Sequence, residues 1–431
     1  MIEPIVKVGI MSAPTVSINL HGVFTDSADG STVTGPLSVM NPGEGGAPRT
    51  FVPVEPRGSS FELYGVTIGV DFHWERRETQ RFSGALTLLP GKESLTAVNL
   101  IPAEEYLKSV ISSEMSAGAS VELLKAHAVI SRSWLMSMLT RGERVECEAI
   151  DDRMNNANEC VMWWDREDHS LFDVCADDHC QRYQGLTRLS ARAVGAVEAT
   201  RGEVLVEQDE ICDARFSKCC GGVFEQFENC WAPVHHPYLT AGSDTPDSET
   251  YPDLTVERNA EEWILSSPPA FCNTDDPSVL DQVLNSYDRE TPDFYRWRVE
   301  YDRHTLADLV HRRTGLDFGD IIDLVPEARG TSGRLYRLTI VGTRRVMTIG
   351  KELAIRRALS ESHLYSSAFV VERRDIGVDG VPASIVLHGA GWGHGVGLCQ
   401  IGAAMMGEKG YHYTDILLHY YRGASVERMY D

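Results

Sequence analysis

Ile101-Pro-Ala-Glu-Glu-Tyr-Leu-Lys-Ser-Val-Ile-Ser-Ser-Glu-Met115 is where the apolar spacing of this chain changes period. Before it, short apolar runs broken by Gly, Pro and Ser predict strands at about 5–10, 16–20, 61–66, 67–72, 82–89 and 94–100. Within it, Leu107, Val110 and Ile111 share one helical face, Pro102 stands in the first turn, and Glu104 and Glu105 favour the positive end of a helix. This first helix, about 102–112, breaks over 112–118. A second opens after the N-cap residue Ser120 and runs to about 139, with Val121, Leu124, Ala128, Leu135 and Met138 as its buried stripe.

Outward from these two helices the pattern is mixed. Residues 38–58 are rich in Gly and Pro and read as loop, 145–185 hold a Cys/His/Asp-rich excursion, and 193–230 return to strands with a Gly-Gly turn. The segment 240–330, with many Pro and Asp and helices at about 260–265 and 305–314, reads as an insertion. Strands at 336–341 and 368–373 lead to a glycine-rich turn and a last helix over 414–421, stopped by Gly423. The fold class is therefore α+β with more strand than helix: a strand-rich region over 1–100, then a single core over 101–431 interrupted at about 240–330.

The 431 residues carry a net charge of -23, which argues against a general nucleic-acid or anionic-membrane surface. No apolar run approaches the roughly 18 residues of a membrane span. The N-terminus alternates like a strand, without the basic and apolar regions of a secretory signal. The ten cysteines cluster rather than scatter, which fits a reduced compartment and a metal site better than a disulfide scaffold.

Five groups of residues bear on the chemistry. Gly389-Ala-Gly-Trp-Gly-His-Gly-Val-Gly397 sets glycine at every second position around Trp392 and His394, where backbone must approach something closely. It offers no dinucleotide register, and His394 there is either part of a site or a brace of the turn. Glu114 ends the first helix beside Met115; it is either an exposed loop glutamate or a partly desolvated carboxyl able to serve as a general acid on a glycosidic oxygen. Lys125 and Arg132, seven residues apart on one helix face, are either solvated or aimed at an anion. His169, Cys175, His179 and Cys180 supply four donors of the kind zinc prefers, against the plainer reading of two free thiols and two surface histidines. A second set, Cys212, Cys219, Cys220 and Cys230 with His235 and His236, leaves a metal, a disulfide or packing open, with packing the default. No C-x-x-C, H-E-x-x-H, P-loop or G-x-S-x-G pattern occurs.

Together the segments resemble the SpoIID/LytB family of peptidoglycan-processing proteins. The resemblance rests on the quoted 101–115 stretch, on Leu123-Leu-Lys-Ala-His-Ala-Val-Ile-Ser-Arg-Ser-Trp134, and on Ala199-Thr-Arg-Gly-Glu-Val-Leu205. Phe216-Ser-Lys-Cys-Cys-Gly-Gly222 and Gly391-Trp-Gly-His-Gly-Val-Gly-Leu-Cys-Gln-Ile-Gly402 complete it. His127 stands where the family has glutamine, and Ser133-Trp134 where it has Thr-Tyr.

The resemblance implies a lytic transglycosylase with Glu114 as its one acid/base, cutting between N-acetylmuramic acid and N-acetylglucosamine to leave a 1,6-anhydro end. It implies peptide-free glycan strands or fragments as partner, Lys125 and Arg132 as anion partners, and His394 and Gln400 on a turn that shapes the cleft. It also implies a structural or cleft-ordering zinc at His169, Cys175, His179 and Cys180. Two rivals stand beside this reading: a non-catalytic glycan-binding or amidase-enhancing module, and a zinc-dependent hydrolase. A wall substrate conflicts with the missing signal, so both a cytoplasmic and an exported location stay open, as does the oligomeric state.

Overall fold

The computed structural model describes residues 2–69, 75–141, 153–156, 158–163, 169–177, 179–246, 251–283 and 293–431. Asp178, close to the expected metal ligands, and the end of the strand expected at 67–72 lie outside the described residues. The fold is mixed α and β, as the sequence implies. The chain does not divide near residue 100. It forms two units, one of Met1–Glu143, Arg166–Val206 and Val426–Asp431, the other of Arg144–Asp165 and Glu207–Ser425.

The first unit is built on β1 (Ile5–Ala13), β2 (Thr15–Asp26), β3 (Thr32–Met40), β4 (Arg49–Pro53), β5 (Ser60–Ile68), β6 (Arg76–Phe82), β7 (Ala85–Pro90) and β8 (Leu95–Pro102). With the two-residue strand Val174–Cys175 they form one sheet in the order Val174–Cys175, β1, β8, β7, β4, β2, β5, β6, β3 pairing on β2. The residues 38–58 expected as loop therefore contain the end of β3 and all of β4. Gly- and Pro-rich flanks hid a short strand that pairs with both β2 and β7.

β8 runs directly into α1 (Ala103–Glu114), whose N-cap is Pro102. Pro102 has no side chain able to cap, so the carboxylate of Glu3 accepts the Glu104 N–H at 2.9 Å. α1 ends where Met115 turns to extended backbone. α2 (Val121–Arg141) opens as expected, with Ser120 Oγ accepting from Leu123 N at 3.3 Å. Its expected stripe is too narrow: Val121 is exposed and Met138 half-buried, whereas every residue from Ala126 to Ser137 is buried. α3 (Ala191–Ala199), capped by Ser190, stands where the sequence reading expects strand. Ala193, Ala196 and Val197 form its buried face, a pattern too short to fix a period.

Burying α2 all round buries its arginine. Arg132 is fully enclosed and grips Glu104 of α1 with both prongs, Nε to Oε1 and Nη2 to Oε2, each at 2.8 Å. Glu104 also accepts from Tyr430 Oη at 2.7 Å and from Gly202 N at 3.3 Å, while Arg132 Nη1 donates to the Glu203 carbonyl. Burial alone raises the pKa of Glu104, but the Arg132 hydrogen bonds and charge outweigh it and hold the group below its usual value.

The second unit has a three-stranded antiparallel sheet, Arg296–Asp302, Pro382–Ala390 and Phe369–Ile376. A five-stranded one runs in the order Ile321–Arg329, Leu335–Gly342, Val346–Gly350, Glu159–Met162, Arg153–Asn156. Its core gathers Trp297, Leu306, Phe318, Leu338, Ile355 and Leu387. The segment 240–330 is not set apart from this core. Its strand Arg296–Asp302 pairs along Pro382–Ala390 from Arg296↔Ala390 to Asp302↔Ser384 and so carries the glycine turn that follows.

Cutting one partner of the Glu104–Arg132 pair leaves a buried charge alone, at a cost of about 3–5 kcal/mol. Arg132→Met is expected to lower the unfolding free energy read from urea titration by that order, with Glu104→Met added restoring much of it. Because the folded pKa of Glu104 lies below its unfolded value of about 4.3, the pair's contribution is full above that value. It is lost as pH falls through the lower folded pKa. The Arg132→Met/Glu104→Met protein is therefore expected to lose less stability than wild type between pH 5 and lower pH, as unfolding midpoints at stepped pH would show.

Candidate functional site

Glu114 is the last residue of α1, half-buried, with the buried Met115 after it. Its Oε1 accepts the backbone N–H of Arg182 at 3.0 Å; among the described residues Oε2 has no hydrogen-bond partner. That N–H belongs to a segment fixed from several sides. Tyr183 N donates to the Ala176 carbonyl, and Tyr183 Oη to Asn99 of β8 at 2.6 Å. Gln181 is buried and meets the hydroxyl of Tyr106 in α1. Gly185 has φ +62°, and a Cβ there would come within 2.2 Å of the Arg81 carbonyl, so the turn requires glycine.

The segment before Arg182 carries the metal candidates. The donor atoms of His169, Cys175, His179 and Cys180 all lie within 4.8 Å of one another. Val174–Cys175 pairs in parallel with β1, Val8↔Val174 and Gly9↔Cys175, which pins the first cysteine to the sheet. Gly9 leaves room for the Phe172 ring, which packs on His169 at 4.7 Å between centroids. Cys180 Sγ accepts the Cys175 N–H at 3.4 Å and lies 3.6 Å from His179 Nδ1. The hydrogen bond with Cys180 draws the Cys175 thiol down to about 3 against the opposing effect of burial, so it is a thiolate. His169 Nε2 is buried and has no hydrogen-bond partner among the described residues. An unpartnered imidazole nitrogen beside Cys175 fits a metal ligand, and two sulfurs with two nitrogens suit four-coordinate zinc.

Tyr106 ties the two features together. Its buried hydroxyl has its pKa raised by burial first, then by the charges of Cys180, Cys175, Tyr183 and Glu114. The two thiols and the Glu114 carboxyl thus lie close enough to act on one buried hydroxyl.

The remaining expected residues fall elsewhere. Arg132 is enclosed with Glu104 and offers nothing to a solvent-borne anion, because helix spacing shows which residues share a face but not whether that face is covered. Lys125 is half-buried with Nζ 3.0 Å from Glu122 Oε1. His394 and Gln400 belong to the second unit. Gln400 is buried at the start of helix Gln400–Glu408. His394 Nδ1 accepts from Val396 N at 3.0 Å, and its ring meets Trp231 edge-on at 4.8 Å. Burial, then the positive charge of Arg215, keep it neutral, while a hydrogen bond with the Phe216 backbone works the other way. These bonds brace the turn.

What Gly391 and Gly395 of that turn approach is Arg334, a buried guanidinium that no sequence pattern marked. It donates to the carbonyls of Gly393, Cys220 and Cys219 and to Ser332 Oγ. A Cβ on Gly391 would lie 2.8 Å from its Nη2, and one on Gly395 2.5 Å from its Cζ. Glu225, also buried, closes the other side: its N–H donates to the Gly395 carbonyl and its carboxylate accepts from Ser332 and Thr331.

Known proteins share both of these regions. Residues 91–206, which span α1, the metal segment and α3, match the family model described as stage II sporulation protein. Over these residues the chain carries a SpoIID-type region. Residues 225–397, around the Arg334 turn, match a second family model described as a domain of unknown function. An uncharacterized protein of Brachyspira hyodysenteriae is 24% identical over 80% of this chain and 72% of its own length. The amidase enhancer of Bacillus subtilis is 25% identical over 74% of this chain, which amounts to 40% of that relative. Stage II sporulation protein D of Bacillus amyloliquefaciens is 22% identical over 77% of this chain and 75% of its own length.

Gly395→Ala is expected to cost more than Gly410→Ala. Both have positive φ, +77° and +83°, but nothing lies within 4 Å of a Cβ at Gly410. The strain alone costs about 1–2 kcal/mol, and the clash with an anchored guanidinium adds to it at Gly395. Urea unfolding of the two variants reads the difference.

Proposed function

We propose that this protein is a lytic transglycosylase of peptidoglycan glycan strands, with Glu114 as acid and then base. The match of residues 91–206 to the stage II sporulation protein family supports a cell-wall role. The observation that carries the finer reading is the carboxylate at the end of α1, with Oε1 held by Arg182 N–H and Oε2 unpartnered among the described residues.

One carboxyl is enough for this reaction. The Glu114 proton passes to the oxygen that bridges N-acetylmuramic acid to N-acetylglucosamine, and the bond from that oxygen to C1 breaks. The C6 hydroxyl of the muramic residue then bonds to C1 and returns its proton to Glu114, which leaves a 1,6-anhydro ring and the starting enzyme. No water is activated, so no second base is required.

His169, Cys175, His179 and Cys180 would hold zinc in this reading. The ion would supply no acid or nucleophile; it would cross-link the segment that ends at Cys180, two residues before the N–H that orients Glu114. Arg132 is committed to Glu104, so a lactyl carboxylate on a peptide-free strand would rely on Lys125 among the two cations the sequence offers. The likeness to an amidase enhancer favours one other reading, in which the same residues bind glycan without cutting it.

Mass spectrometry of peptide-free glycan strands after incubation separates the two. Wild type is expected to release anhydro-ended fragments, and Glu114→Gln at least about 100-fold fewer. Reducing-end products would replace the transglycosylase by a hydrolase. Strand binding without any product, equal in both proteins, would replace it by the binding module.

A further inference from the structure

Apart from the site at Glu114, the second unit contains a cluster that the family reading does not use. Cys220, Asp244, Cys272 and Cys399 are all buried, and their donor atoms lie within 4.8 Å of one another. Cys220 Sγ stands 3.6 Å from Cys272 Sγ, close to the spacing of two thiolates on one tetrahedral zinc, whose zinc–sulfur bonds are about 2.3 Å. The sequence groups Cys220 with Cys219, Cys212 and Cys230; the fold keeps Cys219 alongside but brings Cys220 to Asp244, Cys272 and Cys399, up to 179 residues away.

We propose that Cys220, Asp244, Cys272 and Cys399 bind a structural zinc ion. The four ligands come from four separate segments. Cys220 follows strand Phe216–Ser217, Asp244 follows strand Gly242–Ser243, Cys272 lies beyond helix Glu257–Leu265, and Cys399 caps helix Gln400–Glu408.

Backbone bonds hold these segments in place around the cluster. Phe216 pairs with Leu398, Ile401 N donates to the Lys218 carbonyl, Asp244 N to that of Gly222, and Phe271 N to that of Asp244. The charge of three thiolates and a carboxylate exceeds that of one divalent ion, and the surroundings answer the excess. Cys220 N–H donates to Cys399 Sγ at 3.2 Å, Cys272 N–H to Asp244 Oδ2 at 2.8 Å, and Tyr420 Oη to Asp244 Oδ1 at 2.7 Å. Gly402 makes room for the carboxylate, since a Cβ there would lie 2.6 Å from Asp244 Oδ1. A disulfide between Cys220 and Cys272 would use two of the four groups and leave a thiol and a carboxylate buried beside it. A metal uses all four. Asp244 and Cys272 both come from the 240–330 segment, so this ion fastens that segment to the turn that ends at Gln400.

The test is metal analysis of the full chain purified under reducing conditions with zinc present. Two zinc ions per chain are expected, one lost on Cys175→Ser/Cys180→Ser and the other on Cys272→Ser/Cys399→Ser. X-ray absorption of zinc in the Cys175→Ser/Cys180→Ser protein does not depend on the second variant folding, and is expected to show three sulfurs and one oxygen. One zinc that survives Cys175→Ser/Cys180→Ser would support this site and count against the first. One zinc that disappears with that change would overturn this site, as would iron with visible sulfide absorption or recovery of Cys220 and Cys272 as a disulfide peptide.

Discussion

The ion pair between Glu104 and Arg132 constrains everything in the first unit that bears on chemistry. An enclosed, two-pronged pair is seldom a source of net stability, because desolvating both charges costs about what their attraction returns. Its value is in what it forbids. α1 can neither slide nor rotate against α2 without stranding a charge, and its far end, where Glu114 sits, inherits that register. Gly202 N, Tyr430 Oη and the carbonyl of Glu203 complete the set, so two further stretches of chain are fixed by the same two side chains.

The second unit uses a buried guanidinium differently. Arg334 has no carboxylate clamp; it spends its donors on backbone carbonyls of the glycine turn and on Ser332. Carbonyls can converge so closely on one cation only where side chains do not intervene. Two of the alternating glycines of 389–397, Gly391 and Gly395, are thus the imprint of an arginine more than fifty residues away, while Gly389 makes room for Trp297 and Gly397 for the Arg215 carbonyl; His394, for all its prominence in the sequence, braces the turn.

What the sequence disclosed followed from what is local. Helical period located α1 and α2, the cap at Ser120 was readable, and the four donors between His169 and Cys180 do converge, since twelve residues of chain can hardly separate them. What it concealed is long-range. Arg132 shares a face with Lys125, yet α2 is covered on nearly all sides, so spacing alone assigned the two the same surroundings. Cys272 and Cys399 gave no motif because their neighbours in space come from distant segments. Helix α3 and strand β4 were missed because nine and five residues leave too few apolar positions to establish a period.

The two ends of the chain meet at one point in the first unit: Glu3 accepts the N–H of Glu104, and Tyr430 donates to its carboxylate. Everything from Glu207 to Ser425 is translated between Glu104 and Tyr430. During synthesis the Glu104 carboxylate has Arg132 and Gly202 at hand early, but its Tyr430 donor is translated only after Ser425, the last residue of the second unit. The second unit, continuous apart from a short piece, has all its residues available sooner. One bond of the buried pair's surroundings is therefore made only once the second unit has been translated, while the bonds to Arg132 and Gly202 do not wait for it.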